Sequence, residues 1–239
     1  MNQAYPVVLA IGCLAGLGWL VARRASSAES GGDVFTAALV SLVLGLAGAR
    51  LGFVALHLPY FRRHPVEALW IWEGGLSWVG AALGVLAAIA LMARTRRRPS
   101  MALADALAIP AVIVALAAWT GCLFDRCLYG IPVPASPMAL PTPDVFGTIV
   151  PRWPTAVVGL AATGILLAGL VWATDRQLPP GLRASLALGA LALTGLALSF
   201  TRADPSLLVM GLRLDAIGAL GLLALAAISG FLVWARRHR

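Results

Sequence analysis

The sequence has few charged residues for its length, and this shortage excludes a soluble globular fold. Only 12% of the 239 residues are charged and 60% are hydrophobic, with a mean hydropathy of +0.89, whereas an ordinary globular domain is about 25% charged. Lysine is absent, so all 18 basic residues are arginines, and the net charge of +8 is collected in short clusters between apolar runs. Such a distribution predicts membrane topology rather than nucleic-acid binding.

Cysteine and histidine are also scarce, with three of each. Three cysteines cannot frame the fold of a chain this long, and the spacing of neither residue type suggests a metal site, so we expect no metal and no cofactor. Residues 1–6 lack the basic region and small-residue cleavage site of a removable signal peptide. We therefore interpret the first apolar run as a retained helix.

Seven apolar runs are each long enough, at about 17 to 25 residues, to cross a hydrocarbon core about 30 Å thick. A lone strand would leave its backbone unpaired in lipid, so these runs are predicted to be helices. They lie near residues 6–22, 34–57, 75–93, 102–124, 155–174, 181–200 and 214–235. No polar linker divides them, so we predict an all-α integral membrane bundle of about seven transmembrane helices in a single domain, residues 1–239. A proline-rich loop at about 125–154 is expected to cover one face.

Arginine clusters predict the orientation of the bundle. They follow the first, third and last predicted helices and flank the fifth-to-sixth connection, and all of them fall at one end: Arg23, Arg24, Arg94, Arg96, Arg97, Arg98, Arg176, Arg183, Arg236, Arg237 and Arg239. The positive-inside tendency makes that end cytoplasmic, which places the N-terminus outside and the C-terminus inside. Pro137 in the long loop would then be outside. Arg62 and Arg63 oppose this assignment but are outnumbered.

The polar residues that remain at membrane depth lie near the predicted outer end. Arg50 is about seven residues, or ~10 Å, from the outer end of the second helix, and Arg202 ends the sixth. An intramembrane arginine costs at least ~2.5 kcal/mol on insertion scales and is a functional-site candidate; the alternative is snorkelling to the headgroups. We expect Arg50 and Arg202 to meet at a groove open to the outer leaflet and to bind an anionic headgroup. The Gly48 and Gly52 spacing would let a neighbouring helix approach.

Several short segments occur in an order and spacing that resemble the prolipoprotein diacylglyceryl transferase family. The segments are Gly48-Ala-Arg-Leu-Gly-Phe-Val54, Trp72-Glu-Gly-Gly-Leu-Ser77, Ala104-Asp105, and Gly121-Cys-Leu-Phe-Asp-Arg-Cys-Leu-Tyr-Gly130. Weaker matches extend the resemblance over most of the chain: Tyr5, Arg152-Trp-Pro154 and Phe200-Thr-Arg-Ala-Asp204. A bundle of seven helices with an outside N-terminus also agrees with this family.

The resemblance implies a reaction and a set of site residues. Members of the family take phosphatidylglycerol from the outer leaflet of the bacterial plasma membrane and transfer its diacylglyceryl group to a lipobox cysteine of a preprotein, which leaves glycerol phosphate. Arginine suits the departing phosphate because its planar fork matches phosphate oxygens. The implied catalytic residues are Tyr5, Arg50, Arg126 and Arg202. The implied substrate-binding residues are Glu73, Gly75, Ser77, Gly121, Tyr129 and Gly130.

The sequence also departs from the family pattern at positions that carry chemistry. The family's motif arginine aligns with Trp119 and its histidine with Val79. Its Gln-Leu-Tyr-Glu stretch is replaced by Ala156-Val-Val-Gly159. Arg126 would supply a displaced guanidinium, or it is a solvated loop charge. His57 and His64 are the candidates to replace the lost base, although interfacial residues without such a duty are commoner.

Two further features have structural alternatives. Cys122 and Cys127 either form a disulfide or pack as two small thiols. Asp105 lies near the inner end of its helix and is expected to be a first-turn acid favoured by the helix dipole rather than a catalyst.

Three classes of function are consistent with these patterns. The first is a diacylglyceryl transferase acting on phosphatidylglycerol and lipobox-containing preproteins. The second is a relative that has lost the chemistry and serves as a lipid-binding or accessory subunit of a larger membrane complex, as Trp119 and Val79 suggest. The third is a small transporter, which has little support because neither an inverted repeat nor paired broken helices are evident.

Overall fold

The computed structural model describes residues 4–24, 31–144 and 146–237, and most of these are helical. The elements in chain order are α1 (Ala4–Arg24), α2 (Gly31–Leu56), α3 (Leu58–Phe61), two 3₁₀ turns (Pro65–Leu69 and Ile71–Glu73), α4 (Trp78–Thr95), α5 (Ser100–Asp125), β1 (Leu140–Pro143), β2 (Ile149–Arg152), α6 (Thr155–Trp172), α7 (Leu182–Ser199), β3 (Leu208–Val209), β4 (Leu212–Arg213) and α8 (Leu214–Arg237). Each strand pair is an antiparallel hairpin.

Within the described ranges, seven helices are long and apolar enough to cross a membrane, which confirms the predicted all-α integral membrane bundle. The predicted bounds agree with these helices to within a few residues. The largest differences at a helix start include α4, predicted at 75 but beginning at Trp78. Gly74 and Gly75 have positive φ, and the Ser77 side chain accepts a hydrogen bond from the Gly80 N–H as the N-cap. The chain therefore turns before it enters the helix.

Small residues bring the long helices together in pairs. A Cβ at Gly12 of α1 would overlap Ala117 of α5, and one at Gly48 of α2 would overlap the Gly80 carbonyl oxygen of α4. Such contacts let helix backbones approach without side chains between them. The resulting van der Waals packing holds the helices together in lipid, where the hydrophobic effect does not drive them to associate. The prediction that Gly48 and Gly52 admit a neighbouring helix is confirmed, since Gly52 faces Ser77 and Gly80.

The two ends of the bundle differ in charge and in the size of their loops. One end carries the 57–77 segment, the 126–154 loop with its β1–β2 hairpin, and the β3–β4 hairpin; the other has short connections at 96–99 and 173–181. Ion pairs at the short-loop end join Arg23 to Asp175 and Arg98 to Asp33. The described members of the arginine clusters therefore lie at one end, as predicted, and Arg239 lies outside the described residues. Which end faces the cytoplasm stays a prediction.

Asp105 has a structural role that differs in detail from the one expected. It accepts hydrogen bonds from the backbone N–H groups of Gly181 and Ala184, at 2.6 and 2.7 Å. Its carboxylate thus caps the start of α7, where four N–H groups would otherwise lack partners. The sequence predicted that Asp105 interacts with the dipole of its own helix, α5. In the structure its carboxylate instead caps the neighbouring helix α7.

Candidate active site

A cavity of about 470 Å³ opens at the long-loop end of the bundle, where α5 ends. Its walls come from three parts of the chain that are distant in sequence, and they combine three carboxylates with one guanidinium. The lining residues are Asp125, Arg126, Cys127, Tyr129, Pro143, Asp144, Asp204 and Pro205. Two residues predicted from the sequence, Arg126 and Tyr129, are therefore in its wall.

The end of α5 is fixed by a disulfide between Cys122 and Cys127, which resolves the alternatives that the sequence left open for these cysteines. Arg126, between them in the chain, has a left-handed backbone with φ of 55° and ends the helix. Its side chain is exposed, and within the described part of the chain no hydrogen bond or ion pair engages it. The cavity wall therefore includes a cation that no described residue neutralises by direct contact.

Asp125 connects the end of α5 to the start of α1. Its Oδ2 accepts a hydrogen bond of 2.8 Å from the backbone N–H of Tyr5, and the Tyr5 ring packs against Gly121 one turn earlier. The other oxygen, Oδ1, is buried and has no hydrogen-bond partner among the described residues. Sequence reasoning missed Asp125; an acid at the predicted outer end of a membrane helix was the available signal.

Arg202 belongs to a closed network of ion pairs beside the cavity. It binds Asp204 at 2.6 Å and Asp215 at 2.7 Å, and Arg213 binds the same two carboxylates at 3.0 and 3.3 Å. Burial disfavours the charge of Arg202, but the hydrogen bond and charge of Asp204 and the charge of Asp215 outweigh it and raise its pKa. Two cations and two anions thus balance, and Asp204 presents this network to the cavity.

A second ion pair supports the opposite wall. Arg152 binds Asp144 at 3.1 Å, and its guanidinium lies 5.0 Å from the centroid of the Tyr129 ring. The Thr148 N–H, the Phe146 N–H and the Arg152 charge together lower the pKa of Asp144. Gly130 follows Tyr129, and a Cβ there would overlap the Trp153 carbonyl oxygen. Position 130 therefore requires glycine for the chain to pass this close to residues 153–155.

Arg50 is buried, with 8% of its surface exposed, and lies in a separate cluster. Its guanidinium donates to the backbone carbonyls of Glu67, Ala68, Gly74 and Gly75 and lies near the rings of Phe53 and Phe61. Its polar partners are in 67–75, whereas those of Arg202 are in 204–215. The expected groove between Arg50 and Arg202 therefore stays a prediction.

The remaining predicted residues divide between these two clusters. Tyr129 and Arg126 line the cavity, and Tyr5, Gly121 and Gly130 lie next to residues of its wall without lining it. Gly75 and Ser77 lie beside Arg50, where Gly75 packs under the Phe53 ring. Glu73 is exposed at the end of the second 3₁₀ turn.

Apolar contacts occupy the positions where the chain departs from the family pattern. Trp119 lies over Gly159, so that a Cβ there would be 2.6 Å from the indole, and Val79 packs against Gly218 of α8. The two histidines considered as replacements for the base belong to the segment near Arg50: His57 contacts the Phe53 carbonyl, and His64 pairs with Glu67. Neither histidine lines the cavity.

Comparison with known proteins relates the chain to one enzyme family. The family model described as prolipoprotein diacylglyceryl transferase matches residues 3–234. The chain is similar to the phosphatidylglycerol–prolipoprotein diacylglyceryl transferases of three bacteria. Identity is 37% over 139 residues in Paracidovorax citrulli (56% of this chain, 51% of the relative), 34% over 209 in Verminephrobacter eiseniae (83% and 73%) and 32% over 185 in Rhodospirillum centenum (72% and 66%). The chain spans about half the length of the first of these relatives.

Proposed function

This chain belongs to the prolipoprotein diacylglyceryl transferase family, and from that premise we propose that it transfers the diacylglyceryl group of phosphatidylglycerol to a lipobox cysteine thiol. The reaction would take place at the outer face of the bacterial plasma membrane, with lipobox-containing preproteins as the second substrate. The observation that carries the proposal is the guanidinium of Arg126, which pairs with no described residue and lies in the wall of a cavity at the long-loop end of a family-matched membrane bundle.

The chemistry requires a cation for the departing phosphate. Breaking the bond between the glyceryl carbon and the phosphate oxygen leaves glycerol phosphate with increased negative charge, which a preorganised donor stabilises. No described residue pairs with Arg126, so its guanidinium is available for this task. Arg202 and Arg152 are already engaged by carboxylates. Recruiting Arg152 would break its ion pair with Asp144, and recruiting Arg202 would leave Asp204 and Asp215 to share Arg213. We therefore assign the phosphate contact to Arg126.

Other predicted residues support the site through their neighbours. Arg202 positions Asp204 in the cavity wall, and Tyr5 fixes Asp125 through its backbone N–H. Arg50 holds the 67–75 segment by hydrogen bonds to its carbonyls. In this proposal Arg50, Arg202 and Tyr5 are positioning residues, and Arg126 contacts the substrate.

The predicted substrate-binding residues have corresponding roles. Tyr129 lines the cavity and is proposed to contact the substrate directly. Gly121 and Gly130 leave space for Tyr5 and Trp153, and Ser77 caps α4. Glu73 and Gly75 border the segment that Arg50 holds. Gly75, Gly121, Gly130 and Ser77 would shape the path of the substrate without binding the substrate itself. Glu73 is exposed, so its side chain would meet a headgroup or the peptide.

Reconstitution tests the proposal. The purified protein is placed in vesicles of phosphatidylglycerol labelled in its acyl chains and given a synthetic lipobox peptide. We expect labelled peptide, and we expect Arg126→Gln to lower the initial rate by ~10² to 10³, with part of it restored in Arg126→Lys. The matched control is Arg63→Gln, which changes an exposed arginine of the 57–77 segment. This variant should leave the rate unchanged. If the native protein binds phosphatidylglycerol but transfers nothing, the proposed function is wrong and an accessory role replaces it.

A further inference from the structure

We propose that Asp125 is the general base that takes the proton of the incoming thiol, an inference that rests on the proposed function. The thiol needs such a group because a free cysteine has a pKa near ~8.5 and is mostly protonated at neutral pH, while the thiolate is the nucleophile. The position where the family carries a histidine is Val79, which packs against α8. The base must therefore come from elsewhere.

The carboxylate of Asp125 has the required geometry. Its Oδ2 is fixed by the Tyr5 N–H, whereas Oδ1 is buried without a hydrogen-bond partner among the described residues, and the residue lines the cavity. A buried acceptor that lacks a partner is uncommon and requires an explanation. A thiol S–H arriving in the cavity would supply the missing donor.

The other carboxylates in the cavity wall are already engaged. Asp144 is paired with Arg152 and accepts two backbone N–H groups, and Asp204 is paired with two arginines. Asp125 has no ion pair among the described residues, not even with the adjacent Arg126. Among the three carboxylates of the cavity wall, Asp125 is therefore the one with an oxygen that no described group engages.

The step balances with groups already in place. The thiol proton moves to Asp125 Oδ1 while the sulfur attacks the glyceryl carbon that carries the phosphate. A carbon–sulfur bond forms, and the carbon–oxygen bond breaks with its electron pair going to the phosphate oxygen beside Arg126. Glycerol phosphate leaves, and Asp125 returns its proton to that phosphate or to water. No oxidant, reductant or metal is required.

A thiol and a selenol substrate separate a base from a structural residue. A selenol is ionised at neutral pH without help, so a lipobox peptide with selenocysteine does not need the base. The assay uses phosphatidylglycerol vesicles with the cysteine or the selenocysteine peptide. We expect Asp125→Asn, which keeps an acceptor for the Tyr5 N–H, to lower the thiol rate by ~10² to 10⁴ and the selenol rate by less than about tenfold.

Two further variants make the result interpretable. The matched control is Asp105→Asn. Asp105 lies on α5, as Asp125 does, and both its oxygens accept backbone N–H groups at the start of α7. This variant should lower stability and affect both substrates equally. Asp125→Glu keeps a carboxylate and should retain more thiol activity than Asp125→Asn, which guards against a loss of folding in the asparagine variant.

The outcomes distinguish the base from the reaction. Equal losses with both substrates in Asp125→Asn, or no loss with either, would overturn the base assignment while the native enzyme remains active. Absence of transfer by the native protein with both peptides would overturn the proposed function and the base together.

Discussion

Alanine at position 159 is expected to destabilise the bundle, because the indole of Trp119 occupies the space above this glycine. The Cβ of alanine would lie 2.6 Å from three indole atoms, Cδ2, Cε2 and Cε3 of Trp119. Ordinary carbon contacts are about 3.5 to 4.0 Å, so either the ring or α6 must move by about 1 Å. Side chains forced into a packed site in this way typically cost ~1 to 3 kcal/mol.

Unfolding of the purified protein in detergent measures this cost. Gly169→Ala is the matched control, since it lies on the same helix and an added Cβ meets nothing within 4 Å. In a helix that substitution removes backbone freedom from the unfolded chain and should be neutral or stabilising by up to about 1 kcal/mol. Trp119→Leu should recover part of the loss caused by Gly159→Ala. Equal stability of Gly159→Ala and Gly169→Ala would refute the packing of the indole on the glycine.

The same contact changes what is expected from restoring the family's residues. From sequence alone, transfer should be weak and Trp119→Arg with Val79→His should raise it. The structure shows Trp119 packed against Gly159 and Val79 packed against Gly218, so an arginine at 119 and a histidine at 79 would each have to fit against a glycine of another helix. Because a carboxylate at 159 would lie beside the new guanidinium and pair with it, Trp119→Arg should be tolerated better with Gly159→Glu, the other position at which the chain departs from the family.

Three further predictions concern other parts of the molecule. Arg50→Gln should expose the 67–75 segment to proteolysis, because carbonyls that accept its N–H groups lose their donors; an unchanged cleavage rate would contradict this role. Single cysteines at positions 96 and 137, in a background without native cysteines, should be labelled from opposite sides of the membrane, with 137 outside; labelling from one side refutes the topology. Hydrogen bonds from Thr148 and Phe146 and the Arg152 charge lower the pKa of Asp144. The Asp144 carboxylate therefore stabilises the 144–148 turn fully above its pKa in the unfolded chain, and this stabilisation is lost as the pH falls through its lower pKa in the folded protein. The Thr148 amide, followed by hydrogen exchange corrected for intrinsic pH dependence, should lose its protection only in strong acid. Loss of protection already near pH 6 would contradict this prediction.

The bundle was predictable from sequence because the apolar runs are as long as a membrane is thick and the arginines collect between alternate runs. Individual helix starts were less so: α4 begins three residues late because Ser77 caps it after two glycines with positive φ. The two hairpins were missed, since their strands are two or four residues long and rich in proline or bounded by turns. Strand patterns that short do not rise above the loop background.

The site was only partly predictable, because its properties depend on partners distant in sequence. Arg126 and Tyr129 were identified from a local motif, and the cavity contains both. Sequence did not show that Arg202 is neutralised by Asp204 and Asp215, or that Arg50 is occupied by carbonyls. Asp125 was overlooked because its significance depends on a hydrogen bond to Tyr5, 120 residues away.

Group transfer from phosphatidylglycerol to a thiol, in the cavity lined by Arg126, is the proposed activity of this protein. The most direct measurement is the stoichiometry of products from the native protein in phosphatidylglycerol vesicles with a lipobox peptide. Mass spectrometry identifies the lipidated peptide and quantifies glycerol phosphate in the same sample. We expect a thioether-linked diacylglyceryl peptide and glycerol phosphate in equal amounts, both strongly reduced in Arg126→Gln. Glycerol phosphate without lipidated peptide, or equal yields from the native protein and Arg126→Gln, would contradict it.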